Sequence, residues 1–84
     1  MGKELSEMAV EIMTRVDARG LSCPMPIVKT AQAAKATPSG GLIEVLATDP
    51  GSTKDLTAWA KTTGHTLLEQ SLDGGVYRFV ILRK

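Results

Sequence analysis

Apolar and polar residues change period several times along this 84-residue chain, and each change marks an element. Ile12, Thr14 and Val16 alternate with Met13, Arg15 and Asp17, the two-residue period of a strand with one buried face. Ala18-Arg19-Gly20 then turns the chain. From Pro24 to Ala36 the spacing lengthens: Ile27, Val28, Ala31 and Ala34 fall at helical intervals, with Lys29, Gln32 and Lys35 opposite. Thr37-Pro38-Ser39-Gly40-Gly41 ends that helix. Leu42 to Thr48 is an apolar run broken only by Glu44, which reads as a well-buried strand. Asp49-Pro50-Gly51-Ser52 signals a second helix start, where Asp49 or Ser52 can cap and Asp55 lies early in the helix. Leu56, Trp59, Ala60 and Thr63 share one face of that helix, over residues 52–63, and Trp59 is expected in the core. Gly64 ends it. His65 to Leu72 forms a third strand, Asp73-Gly74-Gly75 a tight turn, and Val76 to Leu82 a fourth strand.

The predicted order is β-α-β-α-β-β. Right-handed crossovers make each β-α-β unit parallel and put both helices on one face of the sheet. The final hairpin sets the fourth strand antiparallel to the third. The expected fold is α/β, an α+β two-layer sandwich with a four-stranded mixed sheet and one open sheet face. This topology places Cys23, Asp49 and Asp73 at one sheet edge. His65, at the start of the third strand, falls at the opposite edge and is excluded as a base for Cys23.

Composition narrows the class. With 43% hydrophobic and 23% charged residues the chain is globular, and its length allows one domain, expected over 12–84 behind a flexible N-terminal extension, 1–11. A net charge of +1, scattered basic residues and three aromatics give nucleic acid little to pair with or stack on. A single cysteine and a single histidine exclude an internal disulfide and a structural zinc site, and no cofactor is expected. No run approaches the ~20 apolar residues of a membrane span, so a reducing cytoplasm is the expected setting. Met1-Gly2-Lys3-Glu4-Leu5-Ser6 fits the N-myristoylation pattern, which is short enough to arise often by chance.

The chemistry concentrates in "GLSCPMPIVKT", residues 20–30. A helix leaves its first backbone N–H groups unpartnered, so prolines in the first turn remove no helix hydrogen bond. Pro24 as first helical residue fixes its own backbone angle and pushes Cys23 toward the extended geometry of a cap. Met25 is then the most available N–H donor near the sulfur, although Pro26 disfavours helical geometry at Met25 and allows a start at Pro26 instead. In either register the sulfur lies at the positive end of the helix dipole. That position predicts an exposed Cys23 titrating below the ordinary thiol value of about 8.5. A lone cysteine is otherwise most often a small buried hydrophobe. Arg19 and Lys29 flank the thiol and are candidates to favour an anion or an acidic partner, against the ordinary reading of solvated charges. Asp49 shares the sulfur's edge and either caps the second helix or helps dock a partner.

"VDARGLSCPMPIVKT" resembles the N-terminal signature of the TusA/SirA/YedF-like sulfur-carrier proteins, marked by Cys-Pro-x-Pro. The resemblance runs on through Pro38-Ser39-Gly40, Thr48-Asp49-Pro50 and "GHTLLEQSLDGGVYRFVILRK", about residues 16–84. It implies a fold like the C-terminal domain of translation initiation factor three, with sheet order 1-2-4-3. It also implies that Cys23 accepts sulfane sulfur as a persulfide from a cysteine desulfurase or rhodanese. The sulfur then passes to a DsrE-type or other acceptor protein, with transfer-RNA thiolation, molybdenum-cofactor assembly or sulfur oxidation as destinations. Gly20, Pro24 and Pro26 match the motif's positioning residues. Met25 stands where some members carry an acid, which bears on partner choice. Two other readings compete: a thiol redox sensor, weakened by the lack of a resolving cysteine, and a non-catalytic regulatory binding module, resting on fold analogy alone.

Overall fold

The structure, a computed structural model, describes residues 12–84; the extension expected over 1–11 and its myristoylation pattern lie outside them. The elements are β1 (Ile12–Ala18), α1 (Met25–Ala36), β2 (Leu42–Ala47), α2 (Ser52–Thr63), β3 (Thr66–Asp73) and β4 (Val76–Leu82). The strands form one sheet in the order β1-β2-β4-β3. β1 and β2 run parallel, and β4 is antiparallel to both its neighbours. This is the expected α+β architecture and strand order.

β1 keeps its alternation, burying Val16 and Ala18 while Met13, Arg15 and Asp17 face solvent. The core joins Val16, Ala18, Ile43, Val45, Ala47, Phe79 and Ile81 of the sheet to Ala34 of α1 and Leu56 of α2. Phe79, Ile43 and Leu56 are fully buried, and each such side chain contributes about 1.5–3 kcal/mol of transfer free energy. α1 packs on β1 and β2, α2 packs on β3 and β4, and the two helices touch each other on the same sheet face.

Three expectations need correction. The buried stripe of α1 is Pro26, Thr30 and Ala34, residues four apart on one line of the helix. Val28 lies nearly opposite Pro26 and is 38% exposed. Thr30 tolerates full burial because its hydroxyl donates to the Pro26 carbonyl at 2.7 Å. β3 begins at Thr66, since His65 accepts the Lys84 N–H on Nδ1 and packs its ring 5.0 Å from that of Trp59. Trp59 is half-buried, at the margin of the core.

On the open face a charge ladder crosses the sheet with one residue from each strand. Arg15 of β1 and Arg78 of β4 both reach Glu44 of β2, at 3.2 and 2.7 Å, and Arg78 also reaches Glu69 of β3 at 2.7 Å. Signs alternate along the strand order, and Glu44 is the least exposed member.

Candidate functional site

β1, β2 and β3 all end at one sheet edge, so the β1–α1 loop, the β2–α2 loop and the β3–β4 turn all emerge there. Cys23, Asp49 and Asp73 lie at that edge. His65 and its Lys84 contact lie at the other, where Thr66 pairs with Leu82.

Gly20 starts the loop with φ +79°, a left-handed conformation that a side chain disfavours. Its N–H donates to Thr48 Oγ1 at 2.8 Å, and the Leu21 N–H closes the turn on the Ala18 carbonyl at 3.2 Å. Three residues on, the Cys23 N–H donates to Asp49 Oδ2 at 2.9 Å. The Cys23–Pro24 peptide bond is cis. The helix then starts at Met25, with Pro24 in the cap position and no side-chain cap, so Cys23 is not the cap residue. Nor is Met25 the free donor: its N–H is held by the Ser22 carbonyl at 3.0 Å, and the Val28 N–H by that of Pro24 at 3.1 Å. Pro26 is buried in the first turn and anchors it to the core, while Pro24 stays exposed.

Cys23 is exposed and free. Its thiol donates to Asp55 Oδ2 at 2.8 Å. That hydrogen bond, partial desolvation and the charges of Asp55 and Asp49 together push the thiol up from its ordinary value. The helix dipole alone predicts the opposite direction. Here it is outweighed, because Asp55 contacts the sulfur and Asp49 adds its charge, and a nearby negative charge disfavours a thiolate directly. The flanking cations do not offset this. Arg19 forks onto Asp17 through Nε at 2.8 Å and Nη2 at 3.0 Å, which lowers the Asp17 carboxyl to about 2. Lys29 adds to that lowering by its charge on Asp17.

Asp49 does not cap α2, whose cap position is Gly51 without a side-chain hydrogen bond. Its Oδ1 takes the Gly51 N–H at 3.3 Å, and its Oδ2 serves the cysteine backbone. Ser52 does not cap either; its hydroxyl is buried with no partner. Met25 and Val28 leave 43% and 38% of their surface exposed on α1 just beyond the sulfur. Among the described residues, no group of three His, Cys, Asp or Glu side chains could hold a metal ion.

Asp55 is the site residue that sequence reading missed. It had a signal: both helices start at the same sheet edge, so a carboxylate in the first turn of α2 lies close to the loop that leads into α1.

A sequence profile of the family described as Sulfurtransferase TusA matches residues 14–83. YrkI of Bacillus subtilis is 53% identical over 66 residues, covering 79% of this chain and 88% of that protein. The sulfur carrier protein TusA of Allochromatium vinosum is 47% identical over 66 residues, covering 79% of this chain and 87% of its own. Among solved structures, a SirA-like protein from Desulfitobacterium hafniense superposes with a TM-score of 0.74 at 30% identity, covering 83% of this chain and 96% of that one. Fold, cysteine loop and relatives agree: the chain belongs to the TusA family of sulfurtransferases.

Proposed function

We propose that this sulfur carrier takes up sulfane sulfur as a persulfide on Cys23 and passes it to a thiol of an acceptor protein. The observation that carries the reading is the exposed Cys23, held outward on a loop pinned at Gly20 and Asp49, in a chain of the TusA family. A thiol is the right group, since sulfur is polarizable, nucleophilic as a thiolate and able to form an S–S bond. A single cysteine also suits a carrier, because no second thiol in the chain can displace the carried sulfur as an internal disulfide. Gly20, Pro24 and Pro26 position the sulfur; Met25, Lys29, Arg19 and Asp49 are the residues a docked protein meets first. The donor is a cysteine desulfurase or rhodanese and the acceptor a DsrE-type or other protein, with the relay running in the cytoplasm. No helix among the described residues is long and apolar enough to cross a membrane.

Intact-mass spectrometry tests the reading. Incubation with a persulfide-forming donor should add one sulfur atom to the wild type, removable by reductant and transferable to an acceptor thiol. Cys23→Ser should fold normally and gain none. Sulfur loading that persists in the serine variant removes Cys23 from the mechanism. Addition of oxygen from peroxide, with no sulfur uptake, selects a redox sensor instead.

A further inference from the structure

The carrier reading leaves open how an exposed, nucleophilic sulfur avoids reacting with whatever electrophile it meets before a donor arrives. The contact to Asp55 answers this, and it rests on that reading only for its biological meaning. Asp55 is half-buried in the first turn of α2, and its Oδ2 sits 2.8 Å from Cys23 Sγ. The loop cannot easily drift away from it, because the Cys23 N–H is held by Asp49 from the segment leading into the same helix. We propose that Asp55 is the acid–base partner of Cys23: its carboxylate holds the thiol proton in the free protein and takes that proton when sulfur is delivered.

The step balances without an oxidant. Sγ bonds to the outer sulfur of the donor persulfide as the Sγ proton moves to Asp55. The donor S–S bond breaks, and its electron pair leaves on the donor cysteine sulfur. That thiolate is finally protonated by the proton from Asp55, so thiol plus persulfide becomes persulfide plus thiol. Until then the sulfur is a neutral S–H and a poor nucleophile. Asp55 therefore acts as a selectivity device, suppressing reaction with free electrophiles.

The charged groups around the sulfur support this reading. From α2 comes Asp55 and from the β2–α2 loop Asp49, both acting to keep the thiol protonated. On the sulfur's own side, Arg19 is engaged by Asp17 and Lys29 acts on that same carboxylate. None of the groups that shift the thiol is a cation.

The test is the pH profile of Cys23 alkylation by iodoacetamide in the wild type and in Asp55→Asn, which keeps size and polarity but not charge. The midpoint should fall in the variant, and the rate at neutral pH should rise roughly tenfold for each pH unit of that fall. A structural defect alone does not produce a lowered midpoint with a faster neutral rate. An unchanged profile overturns the proposal. A second measurement needs no variant: the carboxyl carbon resonance of Asp55 in the wild type should move through the pH range in which Cys23 titrates. A resonance indifferent to that titration also overturns it. The same samples, incubated with glutathione persulfide, separate the two claims. Wild-type protein that shows the Asp55 effect but never gains sulfur sinks the carrier reading alone. Wild-type protein that gains sulfur while Asp55→Asn keeps the wild-type pH profile sinks the Asp55 proposal alone.

Discussion

The Cys23 backbone N–H donates to Asp49 Oδ2 at 2.9 Å, joining the cysteine loop to the start of α2 across 26 positions of sequence. The bond fixes where the sulfur stands, while the charge of the same carboxylate helps keep the thiol protonated. Asp49→Ala should lower stability by about 1 kcal/mol, the ordinary net value of an accessible hydrogen bond. Asp49→Asn, which keeps an acceptor oxygen, should lose less. Urea unfolding gives both values, and hydrogen exchange at the Cys23 amide should quicken in the alanine variant. An amide that exchanges as slowly without the carboxylate would mean that the loop is held by other contacts.

Gly20 makes the corresponding prediction at the other end of the loop. Space is not the constraint, since a Cβ there meets no heavy atom within 4 Å. Its φ of +79° is the constraint. Gly20→Ala should therefore cost about 1 kcal/mol through backbone conformation alone, read as a lower thermal midpoint. A neutral effect would show that the loop relaxes to negative φ without loss.

Much of this molecule is readable along the chain because its elements are short, amphipathic and firmly punctuated. Ile12, Thr14 and Val16 mark β1 by alternation, Gly64 and Gly74-Gly75 end α2 and turn the hairpin, and handedness rules supply the side on which the helices pack. The errors share a different character. Val28 looked like core because helical spacing defines a face but not its rotation, which depends on Pro26 and Thr30 fitting beneath the helix. The thiol shift had the wrong sign because a helix dipole is a local property of sequence. The opposing carboxylate of Asp55 comes from 32 positions away.

His65 gives a pH dependence whose sign can be worked out. Burial, then the charges of Arg83 and Lys84, lower its pKa from 6.5 in the folded protein. Folding then disfavours the imidazolium, so the folded state binds fewer protons than the unfolded one. The stability contribution is present above about pH 6.5 and is lost as pH falls from there through the folded value. Its Nδ1, which accepts the Lys84 N–H, must stay unprotonated for that bond to persist. Urea unfolding between pH 7.5 and 5 should show this slope in the wild type, within about that range, and His65→Gln should flatten it. Asp17, lowered to about 2 by Arg19, adds a separate loss only in stronger acid.

The open-face ladder predicts unequal consequences for its members. Glu44 stands between two arginines and is 15% exposed, whereas Arg15 and Glu69 at the ends are 75% and 55% exposed. Glu44→Gln should cost about 1–2 kcal/mol, because it leaves Arg15 and Arg78 facing each other with no charge between them. Glu69→Gln should cost less than about 0.5 kcal/mol, as an exposed pair normally does. Added salt should narrow the gap between Glu44→Gln and wild type, since it screens both the lost attraction and the new repulsion. Equal losses at the two glutamates would reduce the ladder to independent surface pairs.

Met25 and Val28 distinguish partner recognition from sulfur chemistry. Both are apolar, both are exposed, and they sit one helical turn apart on α1 immediately after the sulfur. Neither contributes to the core, so Met25→Gln with Val28→Thr should leave stability within about 0.5 kcal/mol of wild type. A donor that approaches Cys23 over the start of α1 covers this patch, and a few well-buried contacts carry most of the energy of a protein interface. Transfer from a cysteine desulfurase should therefore show a KM raised roughly tenfold, equivalent to about 1.4 kcal/mol, with kcat little changed. Loading from glutathione persulfide, which needs no such surface, should proceed at the wild-type rate. If both donors slow together, the two side chains act on the sulfur itself. If neither slows, the donor approaches from the side of the β2–α2 loop, and Asp49 becomes the residue to vary.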